Sequence, residues 1–360
     1  MSLVPDHIRQ LVPYPPGKPL SELERELGIT NAVKLASNEN ALGPSPLALQ
    51  AIRDALPELH RYPDGGAHYL RQRLADHLGV DPLCLVVGNG SNEIIDLLIR
   101  TFGGPGRGIV SSECTFVVYQ LIAQATGTPF SAAPMRGFDL DLDAMAERVG
   151  PSTSLVFLCS PNNPTGTVIS PEALDRFLRR VGDDVIVAID EAYIEYVPSA
   201  LRPDALGIVA RRPRTVVLRT FSKAYGLAGV RAGYGVTSLE LADYMNRVRQ
   251  PFNMSHLAQV AATAALDDSQ HLERVLSVTS AGMREVAEGL QALRLPLVPS
   301  YANFILFDVK RPAKPVYDTL LRRGVIVRPV GNYGLPNHLR VNMGLPEENA
   351  RFLSALSEVL

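Results

Sequence analysis

Lysine is scarce in this chain: of 35 basic residues only five are lysines, Lys18, Lys34, Lys223, Lys310 and Lys314. Lys223 lies inside FSKAYGLAG, a run of small and aromatic residues. A lysine offers what an arginine cannot, an amine that loses its proton and attacks a carbonyl carbon, most readily where desolvation or nearby cations lower its pKa. A lone lysine is more often a solvated surface charge, so the flanking residues have to decide. Thr220 and Ser222 precede it and Arg231 follows eight positions on, two hydroxyls and a guanidinium that suit a phosphate.

Three further segments carry residues of the same kind. In VVGNGSNEII an apolar stretch passes through a glycine turn into a helix whose first turn holds Gly90, Ser91 and Asn92. The free N–H groups and dipole of a helix start attract phosphate, although a turn glycine with an N-capping Ser or Asn would read the same. In DVIVAIDEAY, Asp190 ends an apolar run, where an unpaired carboxylate costs on the order of several kcal/mol. Asp190 needs a cationic partner, which a protonated ring nitrogen would supply; the alternative is a cap on the next helix. Tyr193 follows three residues later and can reach the same pocket. In LCSPNNPTGT, Pro164 and Gly166 stiffen a turn that would present the Asn163 amide to a ring hydroxyl. Together the four segments describe a pocket for a flat, phosphorylated, nitrogen-containing ring.

The elements that hold these residues are legible as alternating patterns. Runs such as GIVSSE, SLVFLCS, DVIVAIDEA and TVVLRT are short, apolar and β-branched, as expected of strands buried on both faces. Helical stretches such as PLALQAIRDAL, SNEIIDLLIRTFG and SPEALDRFLRRVG lie between them. This alternation predicts an α/β fold with a mainly parallel sheet, whose strand ends carry the functional groups. A length of 360 residues predicts two subdomains. Residues 1–45 form an arm, stiffened by Pro13, Pro15, Pro16 and Pro19, together with the start of a smaller domain. Residues 46–250 form the large domain. Residues 251–360, with helices, NFILFDV, VIVRPV and LRVNMG, form the rest of a smaller α+β domain.

Composition excludes several classes of function. Hydrophobic residues at 46% and charged residues at 20% are ordinary for a globular protein. A net charge of −2 gives no footprint for nucleic acid or an acidic membrane surface. No apolar run approaches the roughly 20 residues that span a bilayer, and MSLVPDHIRQLVPYPPGK lacks the basic head and apolar stretch of a secretory signal. A cytoplasmic location is the expectation. Cys84, Cys114 and Cys159 are far apart in apolar surroundings and read as small buried hydrophobes. The seven histidines show no HExxH or similar pair, so no metal site is expected.

SPNNPTG, DEAY and FSKAYGLAGVR, in that order and at these spacings, resemble the fold-type-I pyridoxal-phosphate aminotransferases. VPYPPGKP, KLASNEN, RYPDGG, GNGSNE, ANFI, VIVRP and LRVNMG extend the match over nearly the whole chain and make it similar to the histidinol-phosphate aminotransferases. The resemblance implies a large domain with a mainly parallel seven-stranded sheet between helices, and pyridoxal 5′-phosphate as cofactor. Lys223 would form the internal aldimine and later act as the base that moves the substrate proton. Asp190 would pair with the pyridine nitrogen and keep the ring an electron sink. Tyr193 and Asn163 would hydrogen-bond the ring 3′ oxygen, and Phe116 would stack on the ring, unless it is simply a core phenylalanine. Ser91, Asn92, Thr220, Ser222 and Arg231 would hold the cofactor phosphate. Tyr62 would complete that cradle from a neighbouring subunit, which implies a homodimer with composite sites; a surface tyrosine in a Pro-Asp-Gly turn is the alternative. Arg340 and Arg328, with Tyr14 and Asn163, would face the substrate's carboxylate or phosphate. One departure is Ala41 after Asn40, where the family often has proline, which bears on loop geometry.

The activity so implied is reversible transamination between L-histidinol phosphate and 2-oxoglutarate, giving imidazole-acetol phosphate and L-glutamate, a step of histidine biosynthesis. An aromatic amino acid aminotransferase on the same site would show the reverse rate preference. A decarboxylase of a phosphorylated amino acid would release carbon dioxide without an oxo acid. A non-catalytic descendant would have no need of Lys223.

Overall fold

The computed structural model describes residues 2–14 and 17–360; Pro15 and Pro16 of the arm lie outside the described residues. The apolar, β-branched runs form one seven-stranded sheet in the order Leu85–Gly88, Gly233–Val236, Thr215–Thr220, Ile186–Asp190, Thr153–Cys159, Gly108–Ser112, Phe130–Ala133. Every strand is parallel to its neighbours except Gly233–Val236, which runs antiparallel to both of its own. Two of these strands escape the sequence patterns. Phe130–Ala133 and Gly233–Val236 are four-residue segments rich in small residues, too short to show periodicity.

Helices cover both faces, as a parallel sheet requires. One core packs Val87, Val156, Leu158, Val187 and Ile189 beneath Leu174, Phe177 and Leu178. The other packs Val86, Leu155, Phe157 and Ala188 beneath Ile94, Leu98 and Met245. Helix Pro171–Val181 illustrates why these segments are helical. Ser170 accepts the Ala173 N–H, Pro171 occupies the first turn, and Leu174, Phe177, Leu178 and Val181 form one buried stripe. Parallel pairing brings the carboxyl ends Gly88, Cys159, Asp190 and Thr220 to one edge of the sheet.

A second body has its own core around a three-stranded antiparallel sheet, Phe304–Asp308, His338–Asn342 and Arg328–Pro329. The chain's first strand, Val33–Lys34, pairs in parallel with Val325–Ile326, so the N-terminal segment joins this body. Helix Asp6–Arg9 does not: Gln124 Nε2 donates to the His7 carbonyl, which ties it to the large domain. The division expected at residue 251 also moves. Helix His256–Ala265 lies against Pro46–Ala55, and Ala258, Ala261, Ala262 and Ala265 are buried in the large domain's core. The second body begins near Ser269, where Asp268 caps the 24-residue helix Ser269–Ala292 and accepts the Ser45 hydroxyl at 2.6 Å. Among the described residues, no helix is long and apolar enough to cross a membrane.

The antiparallel strand is admitted by glycine. A Cβ on Gly233 would lie 2.4 Å from Gly90 C and from Ser91 N, so only a bare Cα lets this strand approach the start of helix Ser91–Phe102. Gly233→Ala is expected to destabilise the protein by about 1–3 kcal/mol, read as a lower denaturant midpoint. Gly229→Ala, whose added carbon has nothing within 4 Å, should stay within about 0.5 kcal/mol of the parent. Equal midpoints for the two variants would contradict the close approach.

Candidate active site

Between the strand ends and the second body lies a cavity of about 400 Å³. Of the residues singled out from the sequence, Tyr14, Ser91, Asn92, Phe116, Asn163, Asp190, Tyr193, Thr220, Ser222, Lys223, Arg231, Arg328 and Arg340 all line it. Tyr62 does not. It is 83% exposed, stacks on Phe252 at 4.9 Å and borders a separate surface cavity with Tyr69 and His256.

Lys223 follows the strand Thr215–Thr220 through a tight turn, and its Nζ donates to the Ser37 carbonyl at 3.3 Å and sits 5.6 Å from the Tyr193 ring centre. Burial, reinforced by the Arg340 guanidinium, pushes its pKa down to about 8. At the end of Ile186–Asp190, Asp190 is 2% exposed. The Tyr119 hydroxyl donates to Asp190 Oδ2 at 2.6 Å, and the Ala192 N–H donates to Oδ1 at 3.2 Å. Burial nevertheless pushes this acid up to about 6, against the pull of those two donors. Among the described residues no cation stands in ion-pair contact with it, whereas its neighbour Glu191 meets Arg219 at 2.8 Å.

Tyr193 and Asn163 occupy the cavity wall. Asn38 Nδ2 donates to the Tyr193 hydroxyl at 2.8 Å, and burial pushes the phenol's pKa up. Asn163 Oδ1 accepts from the Arg340 guanidinium, which leaves the amide's own N–H groups as the donors it can offer a ring oxygen. Arg340 also donates to the Ala36 carbonyl at 2.8 Å and lies 5.2 Å from the Phe304 ring centre. Arg328 lies 5.4 Å from the Tyr14 ring centre, a cation–π contact. Phe116 is partly buried and meets Tyr119 edge-on at 5.6 Å.

The third cluster is built for an anion. Helix Ser91–Phe102 starts at the cavity, and Thr220 Oγ1 donates to Ser222 Oγ at 3.0 Å. Arg231 donates to Ser222 Oγ at 3.3 Å and to the Asn89 carbonyl at 3.1 Å. Its φ of 63° is a left-handed conformation uncommon in non-glycine residues, of the kind held where a side chain must be aimed. A Cβ on Gly90 would stand 2.5 Å from this guanidinium.

Pyridoxal 5′-phosphate fits these groups. An uncompensated buried acid would suit its protonated ring nitrogen, a helix start with two hydroxyls and an arginine would suit its phosphate, and a lysine with a lowered pKa would suit its aldehyde. Two contributors are absent from the sequence-based expectations. Tyr119 belongs to an apolar helix, Val118–Ala125, and its only signal is a hydroxyl in a buried stripe that must find a partner. Asn38 reaches Tyr193 from 155 residues away. Two of the three cysteines behave as expected: Cys114 and Cys159 are buried and free, with burial pushing both thiols up to about 12, whereas Cys84 is free but only partly buried. No metal-binding group of histidine, cysteine and acidic residues occurs among the described residues.

The model of the family aminotransferase class I and II matches residues 30–356. The chain is 51% identical over 362 residues to histidinol-phosphate aminotransferase 2 of Pseudomonas aeruginosa, covering 100% of this chain and 98% of that protein. It is 49% identical over 359 residues to histidinol-phosphate aminotransferase 2 of Methylococcus capsulatus, covering 98% and 97%. The crystal structure of histidinol-phosphate aminotransferase from Sinorhizobium meliloti in complex with pyridoxal-5′-phosphate superposes with a TM-score of 0.92 at 29% identity, over 100% of this chain and 98% of that one. With a family model spanning most of its length and relatives at about half identity, this chain belongs to the class I and II aminotransferases.

Proposed function

We propose that the protein transfers the amino group of L-histidinol phosphate to 2-oxoglutarate, giving imidazole-acetol phosphate and L-glutamate in histidine biosynthesis. The observation that carries this proposal is that Arg328 and Arg340 line the same cavity as Lys223, and guanidinium groups suit the anion of a phosphorylated amine. The full-length likeness to proteins named histidinol-phosphate aminotransferase supports it. A cytoplasmic homodimer is part of the same proposal, with Tyr62, exposed on one subunit, reaching the phosphate cradle of the other.

The cofactor, when bound, supplies an aldehyde for the amino group and a ring that draws off the electron pair left at the substrate carbon. The chain's residues hold and time the protons. Lys223 would hold the aldehyde end of the cofactor through its free amine, which burial makes available near neutral pH. With the amino donor bound, the Lys223 amine would be the base that takes the proton from the substrate carbon and delivers it to the former aldehyde carbon of the cofactor. Asp190 would keep a proton on the ring nitrogen, with Tyr119 fixing the carboxylate's orientation. Tyr193 and Asn163 would donate to the ring oxygen. Ser91, Asn92, Thr220, Ser222 and Arg231, which line the same cavity, would anchor the cofactor phosphate against loss during turnover. Arg328 and Arg340 grip the substrate anion and position its α-carbon beside Lys223.

Single-turnover mixing of the holoenzyme separately with L-histidinol phosphate, L-phenylalanine and L-glutamate tests the proposal. The visible band of the bound cofactor should disappear rapidly with histidinol phosphate and sluggishly with phenylalanine. Comparable rates would move the protein to the aromatic branch, and no visible band at all would remove Lys223 from its role. A second expectation concerns pH. Because the charged amine cannot attack, the rate at which apoenzyme captures pyridoxal 5′-phosphate should rise with pH around a midpoint near 8, where burial holds Lys223. A midpoint near the ordinary lysine value of 10.5 would mean that Lys223 is not desolvated.

A further inference from the structure

Besides Asp190 the cavity wall carries one more acid, Glu39, which the proposed chemistry leaves unused. Its main chain is fixed from two directions. Asn303 Nδ2 donates to the carbonyls of Asn38 at 3.2 Å and Glu39 at 3.3 Å, while the Asn38 N–H donates to Asn342 Oδ1 at 3.0 Å. Asn38 holds φ at 55°, a left-handed turn that asparagine tolerates. The side chain is tied by one bond: Lys34 Nζ donates to Oε1 at 2.9 Å. Among the described residues no hydrogen bond reaches Oε2. Glu39 remains 43% exposed, whereas Asp190 is sealed beneath the ring site. Among the described residues of the wall, Glu39 is therefore the acid that a ligand can reach, in a cavity whose other charges are Lys223, Arg231, Arg328 and Arg340.

We infer that Glu39 selects the imidazole ring of the amine substrate, accepting a ring N–H while Arg328 and Arg340 hold the phosphate at the other end. The inference rests on the function proposed above. Neutral or protonated, an imidazole always presents at least one N–H donor, and a phenyl ring presents none. A site that exchanges the water on a carboxylate for a substrate N–H rejects an analogue of the same shape without a donor, because the acid then loses its water for nothing. Glutamate, the second amino donor, brings a carboxylate instead. Glu39 opposes that charge, and the adjacent Lys34 ammonium limits the opposition. One acid thus favours histidinol phosphate over phenylalanine without assisting glutamate.

The test measures single-turnover rates, and their dependence on substrate concentration, for Glu39→Leu and Glu39→Gln holoenzymes with L-histidinol phosphate, L-phenylalanine and L-glutamate. For Glu39→Leu, the rate over apparent dissociation constant should fall by about ten- to a hundredfold with histidinol phosphate, and by at least tenfold less with the other two amines. Glu39→Gln keeps an acceptor oxygen and should recover part of the loss; it also carries the test if the leucine variant fails to fold. An equal fall with all three amines, or an unchanged value with histidinol phosphate, overturns the role of Glu39. Parent enzyme that converts phenylalanine as readily as histidinol phosphate overturns the function and the inference together.

Discussion

Removing Asp190 and Lys223 from water works against charge on both. The acid is pushed up to about 6 and the amine down to about 8, and neither has a counter-charge in contact among the described residues. Buried ionisable groups in this state are costly to stability, and the surrounding hydrogen bonds only partly offset the cost. The rest of the site follows from keeping these two groups dry yet reachable. Tyr119 and the Ala192 N–H orient the acid, Ser37 and Tyr193 flank the amine, and the second body closes the remaining side with Arg340 and Arg328.

The sheet supplies the rigidity this demands, and it does so through the alternation of side chains. Asp190 and Glu191 are consecutive, so the pleat sends them to opposite faces. One enters the cavity; the other is held by Arg219, which itself precedes Thr220 on the adjoining strand. A buried ion pair therefore joins the two strand ends that deliver the acid and the lysine. Breaking such a pair from one side typically costs about 3–5 kcal/mol, because it strands a charge without water. The contact ties the ends of both strands from below, out of reach of any ligand.

Much of this was legible in the sequence. Four of the strand ends follow continuous apolar runs, and Lys223, Asp190, Asn163 and Arg231 are chemically conspicuous beside them. What was illegible has a common cause: it depends on partners far along the chain or on segments without a period. Gly233–Val236 is too short and too small in its side chains to declare itself a strand, and its place is set by what a missing Cβ permits. Helix His256–Ala265 is alanine-rich and could have served either core; only its fit against Pro46–Ala55 decides. Tyr119 looks like packing until its hydroxyl meets Asp190. Tyr62 carries the opposite lesson, since within one chain it stands apart from the cavity that the resemblance assigns it to.

The segment from Val33 to Glu39 has a consequence for how the protein is made. It pairs with Val325–Ile326, gives its Ala36 carbonyl to Arg340 and its Asn38 N–H to Asn342, partners as much as 304 residues away. A nascent chain emerges at roughly 5–20 residues per second, so this early segment spends tens of seconds outside the ribosome before its partners exist. The large domain, whose sheet closes with Val236 and whose core is complete at Leu266, can condense during that interval. The cavity cannot. Its last wall is laid only after Arg340 and Asn342 have cleared the exit tunnel, so the site closes long after the sheet that carries Asp190 and Lys223 is able to form.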